Sequence, residues 1–211
     1  MACSICEKRR AKRYCPAVRE EICAICCGEG REETISCPLD CEYLIEAHKH
    51  ERVTEPNARQ IPNRDIAVRE ETLVRNDGLL AEIGAALVGW ANQTGAVDLD
   101  VRDALEALIR TYRTMASGIY YESRPDNHVA NGLFSGLVET IDGYRKTEAE
   151  KTGVHRTRDA DVLELLVFLQ HLEMDRNNGR KRSRAFIGTV MDFYPEPDGG
   201  AASATPPLIL P

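Results

Sequence analysis

Past residue 41 the chain has no cysteine, and nowhere does it have a long apolar run. The first absence leaves 170 residues without thiols, and these must bury a core of their own. The second argues against a membrane-spanning helix, which needs ~18 apolar residues in succession. The longest apolar stretch, Val162 to Leu172, is broken by Glu164, Gln170 and His171. The opening Met1-Ala2-Cys3-Ser4 carries no apolar leader, so a cytoplasmic protein is expected. Catalytic signatures are missing too. There is no Glu-x-x-His, His-Glu-x-x-His, Gly-x-Ser-x-Gly or Gly-x4-Gly-Lys, so di-iron, zincin, hydrolase and P-loop chemistry lack their carriers. Gly28-x-Gly30 has no third glycine and no preceding strand, so it is not a dinucleotide loop.

What the chain does have is eight cysteines between Cys3 and Cys41. They read Cys3-x2-Cys6, Cys15-Pro16, Cys23-x2-Cys26-Cys27 and Cys37-x3-Cys41. Thiolates spaced this closely can be aimed at one ion by a tight turn, and eight sulfurs suffice for two four-thiolate sites. Disulfides are disfavoured in a reducing compartment. Four thiolates also suit an iron–sulfur cluster, but paired ligands at this spacing favour zinc. Eight sulfurs on two ions would leave neither site open to water, so the metal is expected to be structural. A thioredoxin-like redox role needs a single activated pair, not a cluster of eight. The apolar residues of this segment are few: Ile5, Tyr14, Val18, Ile22, Ile25, Ile35 and Leu39. They cannot make a self-sufficient core, so metal binding would supply most of the folding free energy. Gly28 and Gly30 suit a knuckle turn, and Tyr14, Thr34 and Ile35 are candidates for a short hairpin.

The pattern resembles the cross-brace zinc fingers of the HIT, MYND and B-box kind over about fifty residues. Cys3 and Cys6 match the first ligand pair, Cys15-Pro16 the start of the second, Cys23 and Cys26 the third, and Cys37 and Cys41 the last. Val18 stands where a fourth ligand is expected, and Cys27 is a substitute. The resemblance then implies Cys3, Cys6, Cys23 and Cys26 on one ion and Cys15, Cys27, Cys37 and Cys41 on the other. His48 and His50 are alternative ligands for an irregular second site. It also implies a protein-binding or assembly role, since fingers of this kind mostly bind proteins.

The remainder predicts helices. Asp40 is placed to cap one from Cys41 to about Arg52, and Thr54 to Asn63, with Pro56 and Pro62, reads as a linker within residues 54–68. Leu73, Leu80, Ile83, Leu87 and Trp90 keep a helical period from about Glu70 to Gln93, with a kink expected at Asn76-Asp77-Gly78. Asp98 or Asp100, then Asp126, then Thr157 or Asp159 open three further helices, and a last one runs from about Arg182 to Tyr194. The fold expected is mainly α: a two-zinc module over residues 1–53, a bundle of about five helices over 69–194, and a disordered tail over 195–211.

The 211 residues carry a net charge of -7, so the whole chain is not a basic nucleic-acid coat. Two basic runs stand out, Lys8 to Arg13 and Arg176 to Arg184. The first can offset the negative charge of thiolate-bound zinc or contact phosphate. The second is a solvated loop or a site for an anion or acidic partner. Arg9, Arg10, Arg13, Arg180, Lys181, Arg182 and Arg184 are the candidate contacts. The function expected is a non-enzymatic adaptor or assembly factor that binds another protein, with no membrane partner. The apolar tail segment Leu208-Ile209-Leu210 is a second candidate contact. A nucleic-acid-binding regulator using both basic runs is the alternative. An enzyme gathering His155, Asp159 and His171 in the bundle is a third.

Overall fold

The computed structural model describes residues 1–51, 61–154 and 156–194. Residues 54–60 of the expected linker, His155 and the expected tail lie outside them. The order of elements is β1 (Arg13–Cys15), β2 (Glu20–Ile22), α1 (Ala24–Gly30), α2 (Glu42–His50), α3 (Glu70–Arg75), α4 (Asp77–Thr94), α5 (Asp98–Ala116), α6 (His128–Thr152), α7 (Asp159–Arg176) and α8 (Ala185–Phe193). The chain is mainly α, with one small antiparallel hairpin in the cysteine-rich part. None of the described helices is long and apolar enough to cross a membrane.

Helices α3 to α8 share one core. α5 and α7 form its central pair, α6 packs on α4 and α5, and α8 closes against α4 and α7. α7 has apolar side chains on most faces, and Val162, Leu165, Leu166, Val167 and Leu169 are all buried. Its buried carboxylates are each reached by an arginine from elsewhere. Asp161 meets Arg75 at 2.8 Å, Glu164 meets Arg69, and Glu173 takes both prongs of Arg102 at 3.0 Å. A buried carboxylate without a partner would be strongly unfavourable, so these pairs fix how α7 turns within the bundle.

The break after α3 falls at Asn76, where the kink is expected; the Asn76 amide bonds Thr72 O at 2.8 Å. α5 begins at Asp98, as expected, whereas the start of α6 differs from expectation. Val97 is the N-cap of α5, its N–H held by Asp100 at 2.9 Å. Asp98 turns instead to α8, accepting from Ser183 Oγ at 2.6 Å and from the N–H groups of Phe186 and Ile187 at 3.1 and 3.2 Å. Asn127, not Asp126, caps α6 through bonds from the N–H groups of Val129 and Ala130.

α4 and α6 touch most closely at Gly132. A Cβ there would lie 2.3 Å from Cζ2 of Trp90, the only tryptophan. Gly132→Ala should therefore force Trp90 from its place and cost about 1–3 kcal/mol, as overpacking does. Denaturant unfolding followed by Trp90 emission checks both effects. An unshifted native spectrum with unchanged stability would mean that the helices separate freely at this point.

Candidate metal centre

The cysteine-rich part is built from two knuckles and the hairpin. After Cys3 and Cys6 the chain turns through Glu7, which has φ 54° and donates its N–H to Cys3 O at 2.7 Å. Cys23 caps α1 by accepting the Cys26 N–H on its sulfur at 3.4 Å, and its own N–H donates to the Cys3 sulfur at 3.1 Å. The hairpin lies between these pairs and brings them together. Its strands are Arg13–Cys15 and Glu20–Ile22, not the expected Thr34–Ile35 segment, whose Ile35 only bridges to Arg31. The strands are short and mostly polar, so they carry no alternation that sequence could reveal.

The sulfurs of Cys3, Cys6, Cys23 and Cys26 lie within 4.8 Å of one another. Cys3, Cys23 and Cys26 are buried and Cys6 is half-buried. Such a set could hold a metal ion, and its electrostatics fit one. Burial opposes ionisation of Cys3, but the N–H groups of Cys6, Cys23 and Ile5 bring that thiol down to about 6. Burial and its sulfur neighbours push Cys26 up to about 12. Four converging thiols cannot all ionise unaided, and a bound cation resolves the conflict. Arg9, exposed beside this group, supplies part of the balance: the Cys23 sulfur first, then the charge on Cys23, Cys6 and Cys26, raises its pKa.

The other four cysteines form a looser group. Cys15, Cys27, Cys37 and Cys41 all line one small cavity, about 10 Å³, with Ile22, Ile35 and Leu44 beside it. Their sulfurs do not gather within 4.8 Å of one another as those of the first group do. Burial pushes the Cys37 thiol up to about 11, and the nearness of Cys41 and Cys15 adds to the shift. Arg13 donates to the Cys27 sulfur at 3.5 Å and stacks on Tyr43 with its guanidinium 4.5 Å from the ring centre. So each group of four has an arginine of the first basic run at its sulfurs. Lys8 and Arg10 face solvent.

The histidines go elsewhere. His50 pairs with Glu46 at 3.0 Å on the exposed side of α2. His48 meets Glu32 at 3.0 Å and lies 3.8 Å from Glu51. Neither stands in for a cysteine. Glu32, His48 and Glu51 gather their ligand atoms within 4.8 Å, close enough to hold a cation. Those atoms already have partners. Asn178 Nδ2 donates to Glu32 at 2.8 Å and to Glu51 at 3.1 Å, and Arg180 lies 3.4 Å from Glu51. Burial works against the Glu32 charge, but the bonds from His48, Arg184 N–H and Asn178 hold its carboxyl below the usual range. The Glu32 bond in turn raises His48 against the effect of burial. Glu32 and Glu51 are thus engaged by His48, Asn178 and Arg180, so this set is a clasp between the cysteine-rich part and the bundle.

The second basic run forms the other half of that clasp. Arg180 donates to Arg31 O at 2.8 Å, and Arg182 bonds the Ser36 hydroxyl. The N–H groups of Arg182 and Arg184 donate to Glu32 O at 2.7 Å and to Glu32 Oε1 at 2.9 Å. The Arg184 guanidinium reaches Ala91 O and Asn92. Lys181 is exposed. Sequence singled out the run for its charge but missed Glu32, because a lone glutamate in a polar loop gives no signal of burial.

The groups named for a bundle enzyme are dispersed. His171 bonds Pro62 O at 2.9 Å, and Asp159 pairs with Arg145 at 2.8 Å. Twelve helical residues part Asp159 from His171, about 18 Å of rise. His155 is outside the described residues. The comparisons bring no further identification: no family model, no curated protein and no solved structure matches the chain.

Proposed function

We propose that the chain is a non-enzymatic adaptor or assembly factor whose first fifty residues are a cross-brace-like finger folded around two structural zinc ions. The observation that carries this reading is the convergence of Cys3, Cys6, Cys23 and Cys26, whose four sulfurs lie within 4.8 Å of one another and make up a full set for a structural zinc. The second ion would sit in the cavity shared by Cys15, Cys27, Cys37 and Cys41. This pairing is the interleaved one, with the first and third pairs on one ion. The metals would give rigidity, not reactivity. A protein partner is favoured by exposed apolar side chains on the module, Ile5, Val18 and Ile25, flanked by the exposed cations Lys8 and Arg10. Against a nucleic-acid partner stands the use of Arg13, Arg180 and Arg184 in internal bonds.

Native mass spectrometry of gently purified protein tests the proposal. Two zinc ions per chain with a protein retained is the expected result. One zinc, or iron with inorganic sulfide, would overturn the two-zinc assignment. Two zincs with a bound oligonucleotide would replace the adaptor by the regulator.

A further inference from the structure

The loop between Cys27 and Cys37 links the looser cysteine group to the bundle. At its centre is Glu32, fully buried and at φ 53°. A residue other than glycine in that left-handed region is held there by its surroundings, since the conformation is unfavourable by itself. Two sets of contacts hold it. On one side the loop is tied back to Cys27, whose carbonyl accepts the Arg31 N–H at 3.1 Å. On the other, Glu32 receives the N–H groups of Arg182 and Arg184, the Asn178 amide and His48. Both ends of the loop are cysteines of the same group, so the backbone of residues 28–36 is spanned between two ligands. Within the loop Gly30 O accepts the N–H groups of Glu33, Thr34 and Ile35, and that is its main internal support.

We propose that metal occupancy of Cys15, Cys27, Cys37 and Cys41 and closure of the loop joining α7 to α8 are one coupled switch, with Glu32 as the coupling residue. The proposal rests on the two-zinc reading above. Metal at Cys27 and Cys37 fixes both ends of the 28–36 loop and so sets Glu32 where it binds Asn178, Arg182 and Arg184. When that metal leaves, Glu32 relaxes from its left-handed conformation. The clasp then opens, and Arg180, Arg182 and Arg184 turn from internal partners into free cations. The metal state of the module is thereby reported about 150 residues away in sequence, on a surface that an acidic partner can meet. Coupling of this kind is reciprocal, so weakening the clasp must weaken the metal.

Hydrogen exchange of the zinc-loaded full chain, read at the amides of Arg182 and Arg184, tests this. Paired replacement Cys37→Ser and Cys41→Ser should speed exchange at those amides about tenfold or more while α5 and α7 stay protected, within the ordinary range of allosteric coupling. If that variant fails to fold its module, Asn178→Ala gives the reciprocal measurement with every cysteine in place. It should release one of two zinc ions to a competing chelator about tenfold more readily and leave the other unchanged. Two bound zincs whose release is unchanged by Asn178→Ala would overturn the coupling and leave the two-zinc reading standing. A wild-type chain that never takes a second zinc would overturn both.

Discussion

On the two-zinc proposal, a strong chelator at neutral pH is expected to unfold residues 1–51 and leave the α4–α7 bundle intact. The cause is the disparity of the two cores. The buried cluster of the module is four cysteines with only Ile22 and Ile35 added. Two isoleucines contribute about 2–3 kcal/mol each, too little to order fifty residues. A structural zinc contributes on the order of 10 kcal/mol or more. The bundle has its own cluster, running from Leu73 to Val190 and containing no cysteine. Far-UV dichroism should fall only by the share of the short helices α1 and α2, and Trp90, which packs on the bundle core, should keep its emission. A single cooperative loss of all helix, or no loss at all, would contradict this account.

Asp98→Ala is expected to cost about 3 kcal/mol, the upper end of the range for leaving buried hydrogen-bond donors without an acceptor. No other described side chain does what Asp98 does: it sits on the first turn of α5 and holds the start of α8. Alanine would leave the Ser183 hydroxyl and the N–H groups of Phe186 and Ile187 buried without an acceptor. Asp98→Asn keeps one acceptor oxygen and should cost less. The pH dependence separates the two effects. Burial pushes the Asp98 carboxyl above its ordinary value despite the bonds it accepts. Its stabilising contribution is therefore full below the unfolded-state pKa and declines as pH rises through the folded one. Asp98→Asn, neutral throughout, should lack that decline. Urea unfolding across the acid and neutral range decides it, and parallel curves for wild type and Asp98→Asn would refute the shift.

These two results concern regions that sequence exposes very unequally. The helices are legible because their signal is local: Leu80, Ile83 and Leu87 repeat within a few residues, and all three are buried. The first metal centre is legible for the same reason, since Cys3-x2-Cys6 and Cys23-x2-Cys26 each advertise a ligand pair. Asp98 was legible as a capping residue, but the helix it caps begins 87 residues later, and nothing near it in sequence says so. Glu32 is harder still. Its partners Asn178 and Arg184 lie 146 and 152 residues away, and all three are polar residues in loops. A basic run next to Asn177-Asn178-Gly179 reads as solvent-facing surface, because charge alone does not disclose a buried carboxylate waiting for it.

The separation of 152 residues between Glu32 and Arg184 also has a consequence in time. On the ribosome the cysteine-rich segment emerges first, and its docking loop follows only after α7 has been made. At ordinary translation rates that interval is about 8 to 30 s. During it Glu32 has no Asn178 and no Arg184, and the nascent module has only Ile22, Ile35 and Leu44 as buried apolar side chains besides its cysteines. On the two-zinc proposal, metal delivery to the nascent chain is the step that decides whether the late-made half finds a folded surface to close upon.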